Sequence, residues 1–314
     1  MIKASGFKVK DMKRIILIFS FLIPALSFGQ QFPFMENYNL NPFSLSPAYA
    51  GIYNSKTLFM DYRSDWSGVE GGPKTYQLSY NDKFKNRVGL GGKFIYDKTD
   101  IFKQTLILGT YTYEVKLHDK HTLNFGLSMG VYRNSIDLTK YYNDPNYIDD
   151  IVLMYGQQKS KIKFATDISA LYRYRQGEAG IVFSNLMFGS VKYSGSEMTY
   201  KPFKNYLIHA AYLFNLDEKW SLKPEMVFRG GQHVPVQFDL SSAVTWNEKI
   251  WATALFRTSG IFGIGVGGEV YQGLFLNYSY NLSTNVPTNT FGSHQLTLGV
   301  RIFKPVKEKS TKDS

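Results

Sequence analysis

Cysteine is absent from the 314 residues, which excludes disulfide bonds and thiolate metal sites. Beyond one segment near the N-terminus, the chain also lacks the apolar runs of about 18 or more residues that membrane-spanning helices require. Its 36 Lys plus Arg and 25 Asp plus Glu are spread along the chain rather than gathered into a basic stripe. We therefore expect neither an α-helical membrane protein nor a nucleic-acid-binding protein.

The one apolar segment has the pattern of a secretory signal peptide. Basic residues precede the apolar residues 15–28, and a small-x-small cleavage pattern ends at Gly29. An uncleaved membrane anchor would need a longer apolar stretch, and Pro24 interrupts this one. We predict a cleaved signal peptide over residues 1–29. The last residues, 304–314, are charged and poor in apolar groups, so we predict a flexible periplasmic tail.

Between these ends, apolar and polar residues alternate. In residues 123–132, LNFGLSMGVY, one parity is apolar and the other is small or polar, which indicates a β-strand rather than a helix. Such a strand suits a closed barrel with lipid outside and a polar lumen inside, although a soluble sandwich shares the pattern. Similar runs recur about fourteen times, near residues 58–63, 75–80, 88–97, 107–115, 123–131, 164–174, 179–186, 205–214, 220–229, 236–245, 250–257, 261–271, 274–282 and 294–303.

The lengths of the connections favour the barrel. The three longest, 133–161, 187–204 and 283–292, fall on the same parity, and the intervening connections are short. Outer-membrane barrels segregate short periplasmic turns from long external loops in this way, whereas a sandwich need not. We therefore predict an all-β fold: a transmembrane antiparallel β-barrel of about 14 strands over residues 56–303, in the outer membrane, with both termini periplasmic. Aromatic residues near the predicted periplasmic strand ends would form a girdle: Tyr80, Tyr113, Tyr174, Phe214, Trp220, Trp246, Trp251 and Tyr271.

Charged residues also occur at positions that face the predicted lumen. Their signs are mixed, which favours a lumen filled by ion pairs over a selective channel, though both interpretations remain. The predicted lumen charges are Asp61, Arg63, Lys93, Glu114, Asp167, Arg173, Glu225, Arg229, Asp239, Arg257, Glu269 and Arg301.

No motif of a common enzyme is present: the sequence contains no G-x-S-x-G, P-loop or H-E-x-x-H. His118 and His121 lie in a predicted turn and are interpreted as polar turn residues rather than a metal pair. His209 is predicted to be a polar group of the lumen. Acidic residues in 143–150 could hold calcium, but a solvated loop suits their spacing better. We predict no catalytic residue, metal or cofactor.

One cluster resembles the N-terminal signature of the PorP/SprF family of Bacteroidota outer-membrane proteins. Later matches are Phe238-Asp239, Tyr278-Ser279-Tyr280 and the residues 292–295, and the resemblance spans essentially the whole mature chain. The cluster comprises Asn41, Pro42, Ser46, Pro47, Ala48, Tyr49, Ala50, Gly51, Arg63, Trp66, Gly72, Pro73, Lys74 and Thr75.

This resemblance implies a component of the type IX secretion and gliding-motility apparatus. Implied partners are a secreted surface protein, such as the C-terminal domain of an adhesin, the periplasmic ring components of the machine, and outer-membrane lipid. Pro42, Pro47 and Gly51 would keep residues 30–55 out of strand structure, as a periplasmic segment that could tuck into the barrel mouth, and Arg63 would contact Trp66. Two rivals are a porin or substrate-specific channel and a lipid-modifying enzyme that uses His294.

Overall fold

The computed structural model describes residues 35–53, 55–138, 158–159, 162–184, 186, 190–193, 196–199, 205–231, 234–284 and 290–303. The predicted signal peptide, the predicted tail and the acidic loop 143–150 lie outside these residues. Within them, no helix has the length and apolar character to cross a membrane.

The described chain is almost entirely β-structure, because the alternating runs form strands. Most strands are longer than the alternation indicates; for example, the second run of alternation ends near residue 80, and the strand continues to Lys85. The strands are β1 (Ser55–Ser64), β2 (Lys74–Lys85), β3 (Val88–Thr99), β4 (Phe102–His118), β5 (His121–Ile136), β6 (Gln158–Lys159), β7 (Lys163–Tyr174), β8 (Gly177–Phe183), β9 (Ser190–Tyr193), β10 (Ser196–Thr199), β11 (Tyr206–Tyr212), β12 (Phe214–Asn215), β13 (Trp220–Gly231), β14 (Val234–Trp246), β15 (Ile250–Arg257), β16 (Ile261–Tyr271), β17 (Leu274–Ser283) and β18 (Ser293–Phe303).

Fourteen of these strands close into one antiparallel barrel, as the sequence predicts. Each pairs with its neighbour along the chain, and β1 closes the ring by pairing with β18, from Ser55 opposite Phe303 to Ser64 opposite His294. The pairing of β11 with β13 bridges the other side. Closure leaves no strand of the ring with a free edge. Outside the ring, β6 extends the ladder of β5, β12 pairs with β13, and β9 and β10 form a separate hairpin.

The two ends of the barrel differ in their connections. At one end, called the short-turn rim, tight turns join β2 to β3, β4 to β5, β7 to β8, β14 to β15 and β16 to β17. At the other end, called the long-loop rim, lie all the longest connections, from β1 to β2, β5 to β7, β8 to β11 and β17 to β18, together with the tight turns from β3 to β4, β13 to β14 and β15 to β16. The predicted segregation of connections is therefore present.

Side chains alternate between a lipid-facing surface and the lumen. On β5, Phe125 and Met129 are 48% and 49% exposed, whereas the intervening Asn124 and Ser128 are buried. The predicted rim aromatics are also exposed, apart from Trp251. That prediction was wrong for Trp251, because its indole points into the lumen and donates a hydrogen bond from Nε1 to Asn277 Oδ1 at 2.9 Å.

Candidate functional site

Residues 35–53, called here the lumen segment, lie inside the barrel. Their close prolines prevent a regular strand and instead give one short α-helix, α1 (Pro42–Leu45), followed by a 3-10 turn over Pro47–Tyr49. Most of the segment is buried, including its polar side chains. The barrel is therefore occupied by its own chain.

The lumen segment runs along the depth of the barrel. Glu36 lies beside Arg63 and Arg257, which end strands at the long-loop rim. Gly51 lies against Asp82 and Gly89 near the short-turn rim, from which the chain enters β1. The sequence suggested a periplasmic segment at one mouth, whereas the structure places residues 35–53 through most of the lumen. The Asn and Pro residues of this segment form no periodic pattern, so the sequence could not predict how far the segment reaches into the lumen.

Apolar side chains of the lumen segment form two clusters with the barrel wall. Tyr38 and Leu45 pack with Val182, Leu207 and Val227 from β8, β11 and β13. A second cluster joins the segment to Leu171 of β7; its members are Phe43, Ala48, Tyr49, Ala50 and Leu171. Burial of such side chains holds the segment against the wall without ion pairs.

Two glycines make this close fit possible. A Cβ atom on Gly126 would lie 2.5 Å from the carbonyl carbon of Pro47 and closer still to the amide of Ala48. Gly51 has a φ of +68°, and a Cβ there would lie 2.7 Å from Asp82 O. The small side of residues 123–132 therefore accommodates the lumen segment as well as lining the lumen.

Buried amides and hydroxyls connect the lumen segment to strands around the ring. Asn37 Nδ2 donates to Asp61 Oδ1 at 2.5 Å and to Thr297 Oγ1 at 2.8 Å. Farther along, Asn41 Nδ2 donates to Ser79 Oγ at 3.0 Å, and the amide of Ala48 donates to Ser169 Oγ at 2.9 Å. Satisfying these buried groups fixes one position of the segment, because an unpaired buried donor is costly.

Glu36 forms the centre of an ion-pair network. Its Oε1 lies 2.8 Å from Arg257 Nη1 and 3.3 Å from Arg63 Nη1, and its Oε2 accepts a hydrogen bond from Asn281 Nδ2. Arg257 also makes a two-point ion pair with Asp239, at 2.8 Å for both bonds. The lumen charges were expected to pair across the barrel; here a carboxylate of the lumen segment joins them instead.

The other lumen charges have varied partners. Arg173 pairs with Glu114 at 2.9 Å, and Lys93 lies 4.9 Å from the ring centroid of Phe43. Lys223 pairs with Glu178 at 2.8 Å, a pair that the sequence analysis did not identify because Lys223 precedes Pro224 in an irregular alternation. Asp167, Glu225 and Arg229 also lie on the lumen side.

Glu269 corrects the predicted set of lumen charges. Its side chain is exposed at the turn between β16 and β17, where Oε1 accepts the amide hydrogen of Gly273 at 2.6 Å. The register of the two strands shifts between Glu269 and Tyr271, so the alternation that predicted an inward side chain ends there.

The predicted contact of Arg63 with Trp66 is replaced by ion pairs. Arg63 binds the carboxylate of Asp65 at 2.8 Å as well as that of Glu36, while Trp66 is exposed and has a φ of 52°. Gly72 and Pro73 lie in the same connection, and Pro73 O accepts the amide of Asp65 at 2.9 Å. These residues shape the loop that follows β1 and holds Asp65 beside Arg63.

The histidines offer no catalytic arrangement in the described residues. His209 is buried in the lumen, with Nδ1 3.5 Å from the Tyr49 hydroxyl. His294 is outward-facing and shares a 2.6 Å hydrogen bond with the hydroxyl of Tyr278, while the neighbouring Ser293 is buried. The rings of His118 and His121 pack edge to face, and no group of three or more His, Asp or Glu side chains in the described part is arranged to hold a metal.

Comparisons with known proteins identify a family and a fold. Residues 27–300 match the family model described as type IX secretion system membrane protein PorP/SprF. The chain is similar to the crystal structure of a Pseudomonas aeruginosa FadL homologue, with a TM-score of 0.51, 9% identity, and 89% of this chain and 96% of that one covered. It is also similar to the Ralstonia pickettii toluene transporter TbuX, with a TM-score of 0.51, 8% identity, and 83% and 92% covered. No curated protein sequence matches. At these identities the two structures share the fold alone.

Proposed function

Because this chain belongs to the PorP/SprF family of type IX secretion system membrane proteins, we propose that it anchors or helps to export a secreted surface protein. In this role it is a non-enzymatic outer-membrane barrel with the long-loop rim outside and both termini in the periplasm. Its partners are the secreted protein, such as the C-terminal domain of an adhesin, and the periplasmic ring components.

The observation that carries this proposal is the occupied lumen. The lumen segment contacts thirteen of the fourteen strands of the ring: β1, β2, β3, β4, β5, β7, β8, β11, β13, β14, β15, β17 and β18. An unfolded secreted chain or a hydrated solute has no wide path beside a segment held by so many buried contacts. A blocked barrel can instead serve as a fixed membrane support whose rims bind other proteins.

The histidines of the described residues are not arranged for catalysis, which supports a non-enzymatic role. A lipid-modifying enzyme would need His294 near a nucleophilic serine at the rim, and that imidazole is bonded to Tyr278. The side chain of Ser293 points into the barrel, away from His294, because adjacent residues of a strand alternate between its two faces.

A substrate-specific channel is the second candidate. It is favoured by a cavity of about 250 Å³ between the lumen segment and the wall strands β13, β14, β15, β17 and β18. The related crystal structures include one described as a toluene transporter. Conductance in a planar bilayer distinguishes the candidates, because a blocked support carries no steady current.

Anchoring and export are separated by the location of the secreted protein. If the barrel anchors it, deleting this chain releases the secreted protein into the medium; if the barrel helps export, the secreted protein accumulates inside the cell. We expect one of these two results, and restoring the full chain should return the secreted protein to the cell surface.

A loop variant tests which part of the barrel is needed. A variant with residues 139–157 replaced by a Gly-Ser linker should fail to return the secreted protein to the surface, whereas a control variant altered in the turn 247–249 should succeed. Unchanged localisation of the secreted protein after deletion of this chain would contradict the proposal.

The neighbouring genes provide a further observation, since a gene for a giant repeat-bearing protein would favour anchoring.

A further inference from the structure

A cavity beside the lumen segment runs from Glu36 to the short-turn rim. It is lined by Glu36, Asn37 and Asn39 of the lumen segment and, on the wall, by residues that include Lys223, Trp251, Ser279 and Arg301. Tyr53 and Glu248, which also line it, are exposed, so the cavity reaches solvent at this rim. Its volume of about 250 Å³ suits a small molecule rather than a folded chain.

Arg301 supplies a cation to this cavity. Its guanidinium carbon lies 5.6 Å from the ring centroid of Tyr53 and 5.5 Å from that of Phe275, so two aromatic rings hold it. Unlike Arg257 and Arg173, it has no carboxylate partner among the described residues, and its Nε has no hydrogen-bond partner there either. A planar guanidinium in this state is suited to a carboxylate or phosphate group.

Hydrogen-bond acceptors complement this cation. The Oδ1 atoms of Asn37 and Asn39 are buried and have no partner in the described part of the chain. Asn37 is itself only 4% exposed, and its amide nitrogen is already used by Asp61 and Thr297. A free carbonyl oxygen of this kind requires a hydroxyl or N–H donor, because an unsatisfied buried acceptor is destabilising.

From this arrangement we propose that the cavity binds a small organic anion through the short-turn rim. The carboxylate of the ligand pairs with Arg301, and its hydroxyl or amide groups donate to Asn37 and Asn39. Sugar acids and short peptides with a free carboxyl terminus belong to this class. The cavity opens at the short-turn rim and Arg301 lies at that end, so this inference does not depend on the proposed binding of a secreted protein by the long loops.

The test uses the purified full chain in detergent, titrated with D-glucuronate, D-glucose and inorganic phosphate by isothermal calorimetry. We expect D-glucuronate to bind at least about tenfold more tightly than either of the others, since only it carries both a carboxylate and a row of hydroxyl donors. Arg301→Gln should weaken binding about tenfold or more. The matched control is Arg175→Gln, because Arg175 also stacks on a tyrosine at the same rim but lies on the outside.

A second variant separates recognition from loss of structure. Glu248→Gln removes a negative charge from the exposed end of the cavity, so it should strengthen glucuronate binding while Arg301→Gln weakens it. Equal binding of D-glucose, equal binding of phosphate, or an unchanged affinity in Arg301→Gln would overturn the proposal. If a variant that ends at Phe303 bound glucuronate and the full chain did not, the proposal would also be overturned, because the tail residues 304–314 would then occupy the site. Failure of all three probes to bind the full chain would count against it as well.

Discussion

At the scale of single residues, the blocked lumen depends on a few residues whose contacts are not indicated by the sequence around them. Gly126 belongs to a regular alternation, which predicts its inward direction but not the backbone that it contacts. Glu36 belongs to a segment without periodicity, and nothing in the sequence near it indicates Arg63 or Arg257 as partners. The sequence could predict which side chains face the lumen, because they recur with a period of two along each strand. It could not predict which residues meet across the lumen, because that depends on how all fourteen strands are arranged.

Gly126→Ala should loosen the lumen segment. The added methyl group would overlap the backbone of Pro47 and Ala48, and overpacking of this kind costs about 1–3 kcal/mol. The measurement is the free energy of unfolding in urea from detergent-solubilised protein. Gly109→Ala is the matched control, because the nearest atom to a Cβ there is Met129 O at 3.9 Å on the lipid-facing side. Equal losses in both variants would show that the fit to the lumen segment is not the cause.

Glu36→Gln should also destabilise the protein. The amide keeps the shape of the side chain but removes the carboxylate that Arg63 and Arg257 share; because Arg63 keeps Asp65 and Arg257 keeps Asp239, we expect a loss of about 1–3 kcal/mol. Asp137→Asn serves as the control, since its pair with Lys103 is partly exposed and should be worth about 0–1 kcal/mol. The same urea titration measures both, and a loss in Glu36→Gln no larger than in the control would contradict the central role of Glu36.

At the scale of elements, the strands and the lumen segment differ in how far sequence determines them. Strands are predictable because lipid on one side and a polar lumen on the other impose alternation on every run. The ends of the strands are less predictable. β2 continues beyond residue 80, where the alternation ends, and Trp251 points inward instead of joining the aromatic residues of the rim. The lumen segment has α1 and a 3-10 turn where prolines exclude strand structure, but its position is fixed by contacts with distant strands.

The buried state of the lumen segment predicts slow chemical labelling. The chain contains no cysteine, so a single introduced thiol is the only target for maleimide. Ser44→Cys in α1 should react at least about tenfold more slowly than Asp119→Cys in the exposed turn after β4, because reaction requires local opening. Adding Glu36→Gln should accelerate labelling at residue 44 and leave residue 119 unchanged. Comparable rates at residues 44 and 119 in the otherwise unaltered chain would show that the segment is not held in the lumen.

At the scale of the whole molecule, fourteen strands closed through β1 and β18 surround a segment of the same chain. The number of strands and the separation of long and short connections follow from the sequence, because each run and each gap can be read along it. The mixed lumen charges favoured a filled barrel over an open channel, but nothing in the sequence showed that the lumen segment is what fills it. Only the structure shows that residues 35–53 occupy the lumen and engage those charges.

Planar-bilayer conductance tests the blocked barrel most directly. The full chain should give no steady current, and a variant lacking residues 35–50 should conduct, with heat-modifiable migration on a denaturing gel confirming that both remain folded barrels. A steady current from the full chain equal to that of the deletion variant would contradict the account.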